Sequence, residues 1–436
     1  MKRKIIILGG GLAGVEFGKN LKEAGFDFLI LEKENKIGGL ARTNNTGRYY
    51  WDFGVHALYS KDPKTTDYLK SLPLKMNVIK RKVKVFHRGK NGKVYLLDYP
   101  FEMGVKDLPL KAKIECVIGY LIASIKPKKK LVTLADWIDR YCGFGIAKHF
   151  MIPYNKKIWS CELSQISTEL VSIKIEPAPF YEFFLSAFGK TIIGRKSQAE
   201  FFYPEQGIQS FIDYLALNIR SHIKLNTSVK NLVKKQDQWV ITTEEGKTYE
   251  GTDVISTIPV TDLLRKVEVS GLPKSFNTFK WNNTYFVMVG LKKRLKFNYV
   301  HDCQWVFFKG DESFYRISMM HAFSPKFPTT LVAEITQNVI TEEVRVDVIK
   351  QKVIKDLVRL NIIESEDWVE STDIKLIDHT YPIPTLGLNE KKKVISESLG
   401  KKKLYLLGRN GNWDYINMDG VINAADDLFS KLFTTK

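Results

Sequence analysis

The first residues of the chain show a strand pattern, then a helical pattern, then a second strand. Residues 4–8 are mostly apolar, residues 14–24 carry apolar side chains at helical spacing, and residues 28–31 form an apolar run that ends at Glu32. This is the length of a strand–helix–strand unit. The basic start followed by apolar residues imitates a signal peptide, but the run breaks at once into glycines, so we interpret it as a first β-strand.

The rest of the chain alternates strand and helix patterns around a less regular stretch at residues 67–188. Helices rich in aromatic residues are predicted there at residues 134–141 and 179–188. Strands are predicted at residues 223–225, 239–243, 254–258, 285–291, 304–308, 314–320, 330–335 and 404–407. Two further helices are predicted at residues 342–359 and 420–433, and no internal repeat is present.

These elements predict an α/β fold with a discontinuous, Rossmann-like nucleotide-binding domain. That domain is assigned to residues 1–75, 200–265 and 386–436, the start, middle and end of the chain. Residues 76–199 are expected to form a mixed, helical part of a substrate domain. Residues 266–385 are expected to form its β-rich part, an antiparallel sheet.

A glycine-rich turn follows the first strand and carries the first chemical signal. Gly9, Gly11 and Gly14 give the spacing G-x-G-x-x-G between a strand and a helix, which allows a tight turn and close approach of a pyrophosphate. Glu32 lies 18 residues after Gly14, at the end of the second strand, where a carboxylate can bind ribose hydroxyls. The turn therefore predicts a bound dinucleotide but does not separate FAD from NAD.

The formal net charge of +19 favours an anionic partner. Nucleic acid is not expected, because the charge is dispersed and no recognised module occurs. Residues 114–125 are mostly apolar and precede Lys128, Lys129 and Lys130. We interpret them as a core helix, with weak contact to a membrane surface as the alternative.

The four cysteines indicate a reducing compartment. Cys116, Cys142, Cys161 and Cys303 form no CxxC pair, so neither a disulfide framework nor a metal site is expected. Reduced, semi-buried thiols are typical of a cytosolic protein, and a cytoplasmic location is the prediction.

Segments beyond the glycine turn resemble flavoproteins. Residues 38–42 read Gly-Gly-Leu-Ala-Arg and residues 52–56 read Asp-Phe-Gly-Val-His. They are similar to segments of FAD-dependent amine oxidases, phytoene desaturases, protoporphyrinogen oxidases and UDP-galactopyranose mutases. The resemblance implies that Arg42 neutralises the pyrophosphate, that the backbone of Val229 holds the adenine, and that the helix after Asp419 faces the flavin. The implied FAD-binding residues are Gly9, Gly11, Leu12, Ala13, Gly14, Glu32, Lys33, Gly39, Leu40, Ala41, Arg42, Gly54, Val55, His56, Val229, Gly408, Arg409, Asp419, Gly420 and Val421.

Four further segments resemble the eukaryotic-type UDP-galactopyranose mutases. They are residues 153–159 (PYNKKIW), 314–316 (FYR), 379–385 (HTYPIPT) and 408–415 (GRNGNWDY). The resemblance implies that His56 and Arg316 are catalytic. It assigns substrate contacts to Tyr154, Asn155, Trp159, Arg316, Tyr381 and Tyr415. A diphosphate needs such Arg and hydroxyl donors on rigid elements.

Each of these residues also has a purely structural interpretation. Arg316 could pair with a carboxylate, Tyr381, Tyr415 and Trp159 could belong to the core, and His56 could be a packed histidine.

The resemblance also implies an unusual use of the cofactor. N5 of reduced FAD would attack the anomeric carbon of a nucleotide sugar, UDP would leave and return, and pyranose and furanose forms would interconvert without net redox change. The best guess for the substrate pair is UDP-galactopyranose and UDP-galactofuranose, with NADPH or NADH as a possible reductant. The oligomeric state stays open.

Two departures from the mutase pattern keep a second function open. Leu170 stands where an Arg reaching the diphosphate is expected, and Val55 stands where the mutases have Gly. Losing a charge-assisted contact costs about 1.5–3 kcal/mol, unless Lys174 or Arg195 replaces it. The alternatives are an FAD-dependent oxidase or desaturase acting on an apolar substrate, and a non-catalytic FAD-binding protein.

Overall fold

The computed structural model describes residues 3–434 except for 61, 90–91, 128–129, 175–179, 190–199, 270–271, 273–277, 296–299, 301–302 and 338–344. The side chains of residues 172–174 and 180 are outside the description as well. Within the described residues, no helix combines the length and the hydrophobicity needed to cross a membrane.

Helices and strands alternate along the described chain. The helices are α1 (Leu12–Glu23), α2 (Pro63–Ser71), α3 (Leu110–Ile125), α4 (Leu134–Tyr141), α5 (Gly143–Ile146), α6 (Ile152–Trp159), α7 (Glu169–Lys174), α8 (Phe180–Ala187), α9 (Ile208–Leu215), α10 (Val260–Lys266), α11 (Val346–Arg359), α12 (Leu388–Gly400), α13 (Gly408–Gly411) and α14 (Met418–Phe433). The strands before residue 260 are β1 (Lys4–Leu8), β2 (Asp27–Leu31), β3 (Thr43–Thr46), β4 (Tyr49–Asp52), β5 (Met76–Lys80), β6 (Val83–Arg88), β7 (Val94–Asp98), β8 (Glu200–Pro204), β9 (Ile223–Lys224), β10 (Val229–Lys235), β11 (Gln238–Thr243), β12 (Thr248–Gly251) and β13 (Asp253–Ser256). The later strands are β14 (Val267–Glu268), β15 (Lys280–Leu291), β16 (Trp305–Phe308), β17 (Arg316–Met319), β18 (Thr330–Thr336), β19 (Val369–Ile383) and β20 (Leu404–Leu406).

A parallel five-stranded sheet carries the nucleotide-binding part of the fold. Its strand order is β20-β13-β1-β2-β9, and every neighbouring pair in it is parallel. Ile5, Ile6 and Ile7 of β1 are fully buried, because both faces of the sheet are covered, and this explains the continuous apolar runs in the sequence. The predicted α/β class is confirmed. The domain boundaries themselves stay a prediction.

A seven-stranded, mostly antiparallel sheet forms the second layer. Its order is β19-β15-β18-β17-β16-β6-β7, with one parallel pair between β16 and β6. The strands β6 and β7 come from the stretch predicted as mixed and helical, and β19 was not predicted at all. The 15 residues of β19 are mostly half-exposed and polar, so the sequence shows no apolar run there. Only pairing with β15 makes this segment a strand.

Several element boundaries differ from the sequence prediction by a few residues. The helix at 134–141 is confirmed residue for residue, whereas α14 begins at Met418 instead of residue 420. The strand predicted at 254–258 is β13 and ends at Ser256, because the chain turns there into the cavity. Residues 179 and 342–344 of two predicted helices lie outside the described residues.

Candidate active site

A cavity of about 560 Å³ opens at the carboxyl ends of the parallel strands. In open α/β sheets this edge is the usual place for a ligand. Its walls come from distant parts of the chain: residues 8–9, 11–13, 31–34, 38–42, 227–229, 257–259, 376–379 and 408–410, with Phe53, His56, Asp262, Lys266, Met418 and Val421.

The glycine turn forms the floor of this cavity. Gly9 has a φ of 97°, and a Cβ on Gly14 would lie 2.1 Å from the carbonyl oxygen of Gly9. Only glycine permits this packing of α1 on β1. Beside Gly11 the nearest atom to a built Cβ is 3.9 Å away, so the backbone is open to a ligand. The start of α1 has no side-chain cap in the described part of the chain, and its free N–H groups favour a phosphate.

The loop of residues 38–42 lies directly against the glycine turn and presents Arg42. Gly38 donates its backbone N–H to the oxygen of Gly10 at 2.9 Å. The guanidinium of Arg42 lies 5.2 Å from the ring centre of Phe53. Arg42 is 8% exposed, and its Nε has no hydrogen-bond partner among the described residues. A buried cation with an unused donor in this cavity fits a pyrophosphate.

Glu32 lines the cavity beside the glycine turn. Its Oε2 accepts the backbone N–H of Gly10 at 2.5 Å, and its Oε1 accepts that of Glu34 at 2.9 Å. These bonds fix the carboxylate at the cavity wall, with further lone pairs left for ribose hydroxyls. Val229 also lines the cavity, and its carbonyl oxygen accepts Nζ of Lys266 at 2.6 Å.

The far end of the cavity is closed by the turn after β20 and the start of α14. Gly408 has a φ of 83°, and a Cβ there would lie 2.7 Å from Cβ of Ala13. Arg409 donates from Nε and Nη2 to the carbonyl oxygen of Ile416, which fixes the loop before α14. The helix α14 has no side-chain cap among the described residues, so its N-terminal dipole is available to stabilise negative charge.

His56 lines this far end. Burial, together with the nearby guanidinium groups of Arg409 and Arg316, lowers its pKa to about 3. The imidazole is therefore neutral at neutral pH, although part of its surface still faces the cavity. Its Nδ1 has no hydrogen-bond partner in the described part of the chain. A neutral histidine with an unused ring nitrogen can accept or donate a hydrogen bond there.

Most of the predicted FAD-binding residues line the cavity. Those that do not are Gly14, Gly54, Val55, Asp419 and Gly420. Gly14 acts through packing, as described above. Gly54 has a φ of 60°, and a Cβ there would lie 3.0 Å from Nη2 of Arg316, so this glycine makes room for the arginine. Val55 packs against the main core.

Arg316 forms the ion pair that its structural interpretation anticipated, and the carboxylate is Glu334. Its Nε and Nη2 donate to the two carboxylate oxygens of Glu334 at 2.6 and 2.7 Å, and Glu334 is fully buried. Tyr315 also donates to Glu334, at 2.7 Å. Burial alone would lower the pKa of Arg316, but the carboxylate outweighs it and raises that pKa well above its usual value. Arg316 therefore stays charged.

The predicted substrate residues meet in one aromatic cluster beside Arg316. Nη2 of Arg316 donates to the hydroxyl of Tyr381 at 3.3 Å, and the ring centres of Tyr381 and Tyr415 lie 5.8 Å apart. Trp159 packs edge-on against both tyrosines. Its Nε1 donates to Oδ1 of Asn155 at 3.0 Å. Burial raises the pKa of Tyr415 to about 12, so its hydroxyl stays protonated and can donate.

Tyr154 and Asn155 are placed by an irregular helix. A π-helical turn, Ala147–Met151, joins α5 to α6 just before Pro153. Proline lacks the N–H that an α-helix would need, so the wider turn suits the sequence. Tyr154 then stacks on Phe150, with 5.0 Å between ring centres, and Asn155 donates to the oxygen of Met151.

Arg409 joins the aromatic cluster to the cavity. Its guanidinium lies 5.5 Å from the ring centre of Tyr381, while Arg409 itself lines the cavity. None of the six predicted substrate residues lines the cavity directly. The two predicted sets of residues are therefore adjacent, with Arg316 and Arg409 between them.

Leu170 is buried in the same apolar cluster as Trp159 and Tyr415. No cation from this position reaches the site. Arg195 and Lys174 are the candidate replacements for the arginine expected at position 170. Arg195 and the side chain of Lys174 lie outside the described residues.

His379, Asn410 and Glu334 are among the polar residues of the site that sequence reasoning missed. His379 lines the cavity, stacks on Trp281 with 4.3 Å between ring centres, and shares a 2.9 Å hydrogen bond with the hydroxyl of Thr261. Asn410 lines the cavity and donates to the oxygen of His379. Both residues lie in segments that resemble the mutases, and their place in those segments could have marked them as candidates. Glu334 lies in an otherwise apolar strand, and a lone carboxylate there was the missed signal.

Comparison with known proteins agrees with this arrangement. Residues 12–284 match the family described as flavin containing amine oxidoreductase. A probable flavin-containing monoamine oxidase A from Dictyostelium discoideum is 25% identical over 279 residues, which are 59% of this chain and 57% of that protein. This chain thus matches little more than half the length of that relative.

Solved structures show the same fold over nearly the whole chain. A crystal structure of reduced UDP-galactopyranose mutase superimposes with a TM-score of 0.90 and 22% identity, covering 100% of this chain and 96% of the other. A putative protoporphyrinogen oxidase from Exiguobacterium sp. 255-15 superimposes with a TM-score of 0.78 and 16% identity, covering 99% of both chains. At these identities the likeness shows the fold.

The parallel sheet, the glycine turn and the cavity define a dinucleotide-binding protein. Because the family match extends over more than half of the sequence, the chain belongs to the flavin containing amine oxidoreductase family. Membership implies FAD as the cofactor, and the unused donor of Arg42 and the uncapped helix α1 fit it.

Proposed function

We propose that this protein is a flavin-dependent mutase that interconverts the pyranose and furanose forms of a nucleotide sugar. The observation that carries the proposal is the grouping of Arg316, Tyr381 and Tyr415 next to the cavity. A cation and two phenolic hydroxyls can bind a diphosphate together. UDP-galactopyranose and UDP-galactofuranose are the best guess for the substrate pair.

FAD in its reduced form supplies a nucleophilic N5 and is regenerated without net redox change. The protein contributes binding and charge. Arg42 and the start of α1 hold the pyrophosphate, Glu32 holds the ribose, and the start of α14 favours negative charge on the flavin. His56, neutral at neutral pH, holds a hydrogen bond at the far end of the cavity.

The residues beside the cavity position the sugar nucleotide. The hydrogen bonds of Arg316 to Glu334 and Tyr381 use Nε and Nη2, so Nη1 can donate to a diphosphate oxygen. The protonated hydroxyl of Tyr415 donates a second bond. Trp159, fixed by Asn155, offers an aromatic edge to the base or sugar. These contacts keep the departing diphosphate close enough to return.

The proposal extends to the reductant, the location, the role of Tyr154 and the identity of the sugar. NADPH or NADH is the expected reductant, the location is expected to be cytoplasmic, and Tyr154 is expected to contact the substrate. Leu170 removes a cation from the diphosphate site, so the sugar attached to the nucleotide can differ from galactose.

A second candidate function is an FAD-dependent oxidase or desaturase on an apolar substrate. The family match and the similarity to a monoamine oxidase favour it. FAD bound in the cavity would supply the acceptor for a hydride from a C–H bond of the substrate, and molecular oxygen would take up the electrons and leave as hydrogen peroxide. Such a substrate needs no diphosphate site, which is why the polar cluster favours the mutase.

The deciding experiment compares the oxidised and the dithionite-reduced protein on a panel of nucleotide sugars. We expect only the reduced protein to convert UDP-galactofuranose, or another furanose of the panel, to its pyranose. Chromatography of the nucleotides measures this conversion. The oxidised protein is the matched control. A flavin-loaded protein that turns over nothing on the panel but consumes oxygen with an amine would establish the oxidase instead.

A further inference from the structure

The helix α3 exposes a row of large aliphatic side chains. Leu110 and Ile125 at its two ends are 72% and 83% exposed, and the other aliphatic side chains of this row are also exposed. We name this row the α3 stripe; it consists of Leu110, Ile114, Ile118, Leu121, Ile122 and Ile125. Spacings of three and four residues place all six on one side of the helix. A buried core helix, the expectation from sequence, would not leave this face open.

The opposite face of α3 is firmly packed, so the stripe is a fixed surface. Cys116, Gly119, Tyr120 and Ala123 are buried against the neighbouring helices. A Cβ on Gly119 would lie 2.7 Å from the backbone nitrogen of Gly145, which shows how closely α5 approaches. Burial of this face holds α3 in one orientation.

The helices that pack against the buried face of α3 expose further apolar side chains. Phe144 of α5 is 49% exposed and lies beside Gly119 in the middle of α3. On the other side, Tyr120 stacks on Phe183 of α8 with 4.0 Å between ring centres. Near Phe183, Tyr181 and Phe188 are also largely exposed. An exposed apolar row, with further exposed aromatic side chains on the adjoining helices, marks an interaction site.

The charge around the α3 stripe is strongly positive. Residues 110–130 contain six lysines and one glutamate, and four of the lysines fall in residues 126–130. The glutamate, Glu115, is already paired with Lys148 and His149. Lys126 pairs with Asp139, while Lys111 and Lys130 are exposed. An apolar row that ends in a polybasic segment combines the two signals that attract a protein to anionic lipid.

We propose that the α3 stripe, with Lys111 and Lys130 near its two ends, binds the surface of an anionic lipid bilayer. The stripe enters the boundary between headgroups and acyl chains, and the lysines contact lipid phosphates. With 16 residues, α3 is shorter than the roughly 20 needed to span a bilayer, so it lies along the surface. A second copy of the chain fits less well, because it would bring a second lysine-rich segment to the same place.

The inference is independent of the proposed function, since the α3 stripe does not line the cavity. It is tested by co-sedimentation of the FAD-loaded protein with vesicles. One set contains equal parts of phosphatidylcholine and phosphatidylglycerol, and the other contains phosphatidylcholine alone. We expect binding to the anionic vesicles that weakens as salt is raised. Failure of the wild type to bind anionic vesicles at low salt would overturn the proposal.

Two variants separate the apolar and the basic contribution. Ile118→Asp with Ile122→Asp is expected to weaken binding at least about tenfold, because charge enters the lipid boundary. Lys111→Gln with Lys130→Gln is expected to weaken it by about thirtyfold at low salt. The matched control is Val348→Asp with Val394→Asp, which places the same charges on exposed valines of α11 and α12.

Flavin absorbance and thermal melting by circular dichroism confirm that each variant is folded. Equal losses of binding in the Ile118/Ile122 variant and in the Val348/Val394 control would contradict the proposal. A second outcome would also contradict the proposal. In it, light scattering shows that the wild type is a dimer and that the Ile118→Asp, Ile122→Asp variant is a monomer, and neither protein binds vesicles. The α3 stripe would then be a contact between two copies.

Discussion

Arg316 and Glu334 show how a single buried charge depends on its partner. The carboxylate is fully buried and accepts from Arg316 through both oxygens and from Tyr315. Desolvating both charges is expensive, and the pair persists because every hydrogen-bonding position of the carboxylate is used. The same geometry keeps Arg316 rigid beside Tyr381.

Neutralising this carboxylate should therefore destabilise the protein strongly. Glu334→Gln leaves Arg316 with an uncompensated buried charge, and we expect the free energy of unfolding in urea to fall by about 3–5 kcal/mol. Glu370→Gln is the control, because Glu370 pairs with Arg48 at the surface and should cost less than about 1 kcal/mol. Equal losses in the two variants would show that the Arg316 pair is not desolvated.

His56 makes the stability depend on pH. Its pKa is about 3 in the folded protein and about 6.5 in an unfolded chain, so below pH 6.5 the unfolded state takes up a proton that the folded state does not. The stability linked to His56 is complete above pH 6.5 and declines as pH falls towards 3. Its slope there reaches at most about 1.4 kcal/mol per pH unit.

The measurement compares FAD-free wild type with His56→Gln in urea unfolding between neutral and acid pH. We expect the wild type to lose stability relative to the variant as the pH drops below 6.5. A difference between the two proteins that does not change with pH would mean that His56 ionises in the folded protein as it does in water.

At the scale of elements, the start of α1 depends on its contact with the end of β1. The carbonyl oxygen of Gly9 lies 2.1 Å from where a Cβ of Gly14 would stand, and a backbone atom cannot move aside cheaply. The strand and the helix are therefore fixed to each other by the absence of a side chain.

Gly14→Ala should separate α1 from β1 and damage the cofactor site. We expect a loss of about 1–3 kcal/mol in the free energy of unfolding, together with weaker FAD binding. Gly400→Ala, at the end of α12, is the control, since the nearest atom to its Cβ is 4.0 Å away. That variant should be neutral or slightly stabilising. An unchanged FAD titration for Gly14→Ala would contradict the packing argument.

Element prediction worked where the pattern and the burial agree. The helix at residues 134–141 has a Thr133–Asp136 capping box and a strongly one-sided apolar face, and its bounds are confirmed. The strand β19 could not be predicted, because its side chains are mostly polar and half-exposed. Its strand form comes from pairing with β15, a segment far away in the sequence, rather than from its own composition.

For the whole molecule, the cavity is a junction of distant chain segments. The glycine turn, residues 227–229, residues 257–259 and residues 408–410 meet only in the folded protein. FAD that binds all of them stabilises the folded state by mass action.

FAD should accordingly raise the stability of the FAD-free protein. At a free concentration of about 100 times the Kd, the gain is about 2.7 kcal/mol, which thermal melting detects as a higher Tm. Arg42→Ala removes the buried donor and should require at least about tenfold more FAD for the same rise in Tm. The control is Arg48→Ala at the surface. A wild-type Tm that does not respond to FAD would contradict the assignment of the cavity.

The sequence by itself determined the α/β class and the glycine turn with Glu32, and its resemblance to flavoproteins supplied nearly half of the residues that line the cavity. These features are local: strand runs, glycine spacing and a carboxylate at a strand end follow from backbone sterics and hydrophobic burial. The tertiary structure decided the partners. It brought Glu334 to Arg316 and Tyr381 to Tyr415, and it left the α3 stripe exposed. Such contacts join residues far apart in sequence, and no local pattern records which surfaces the fold will cover.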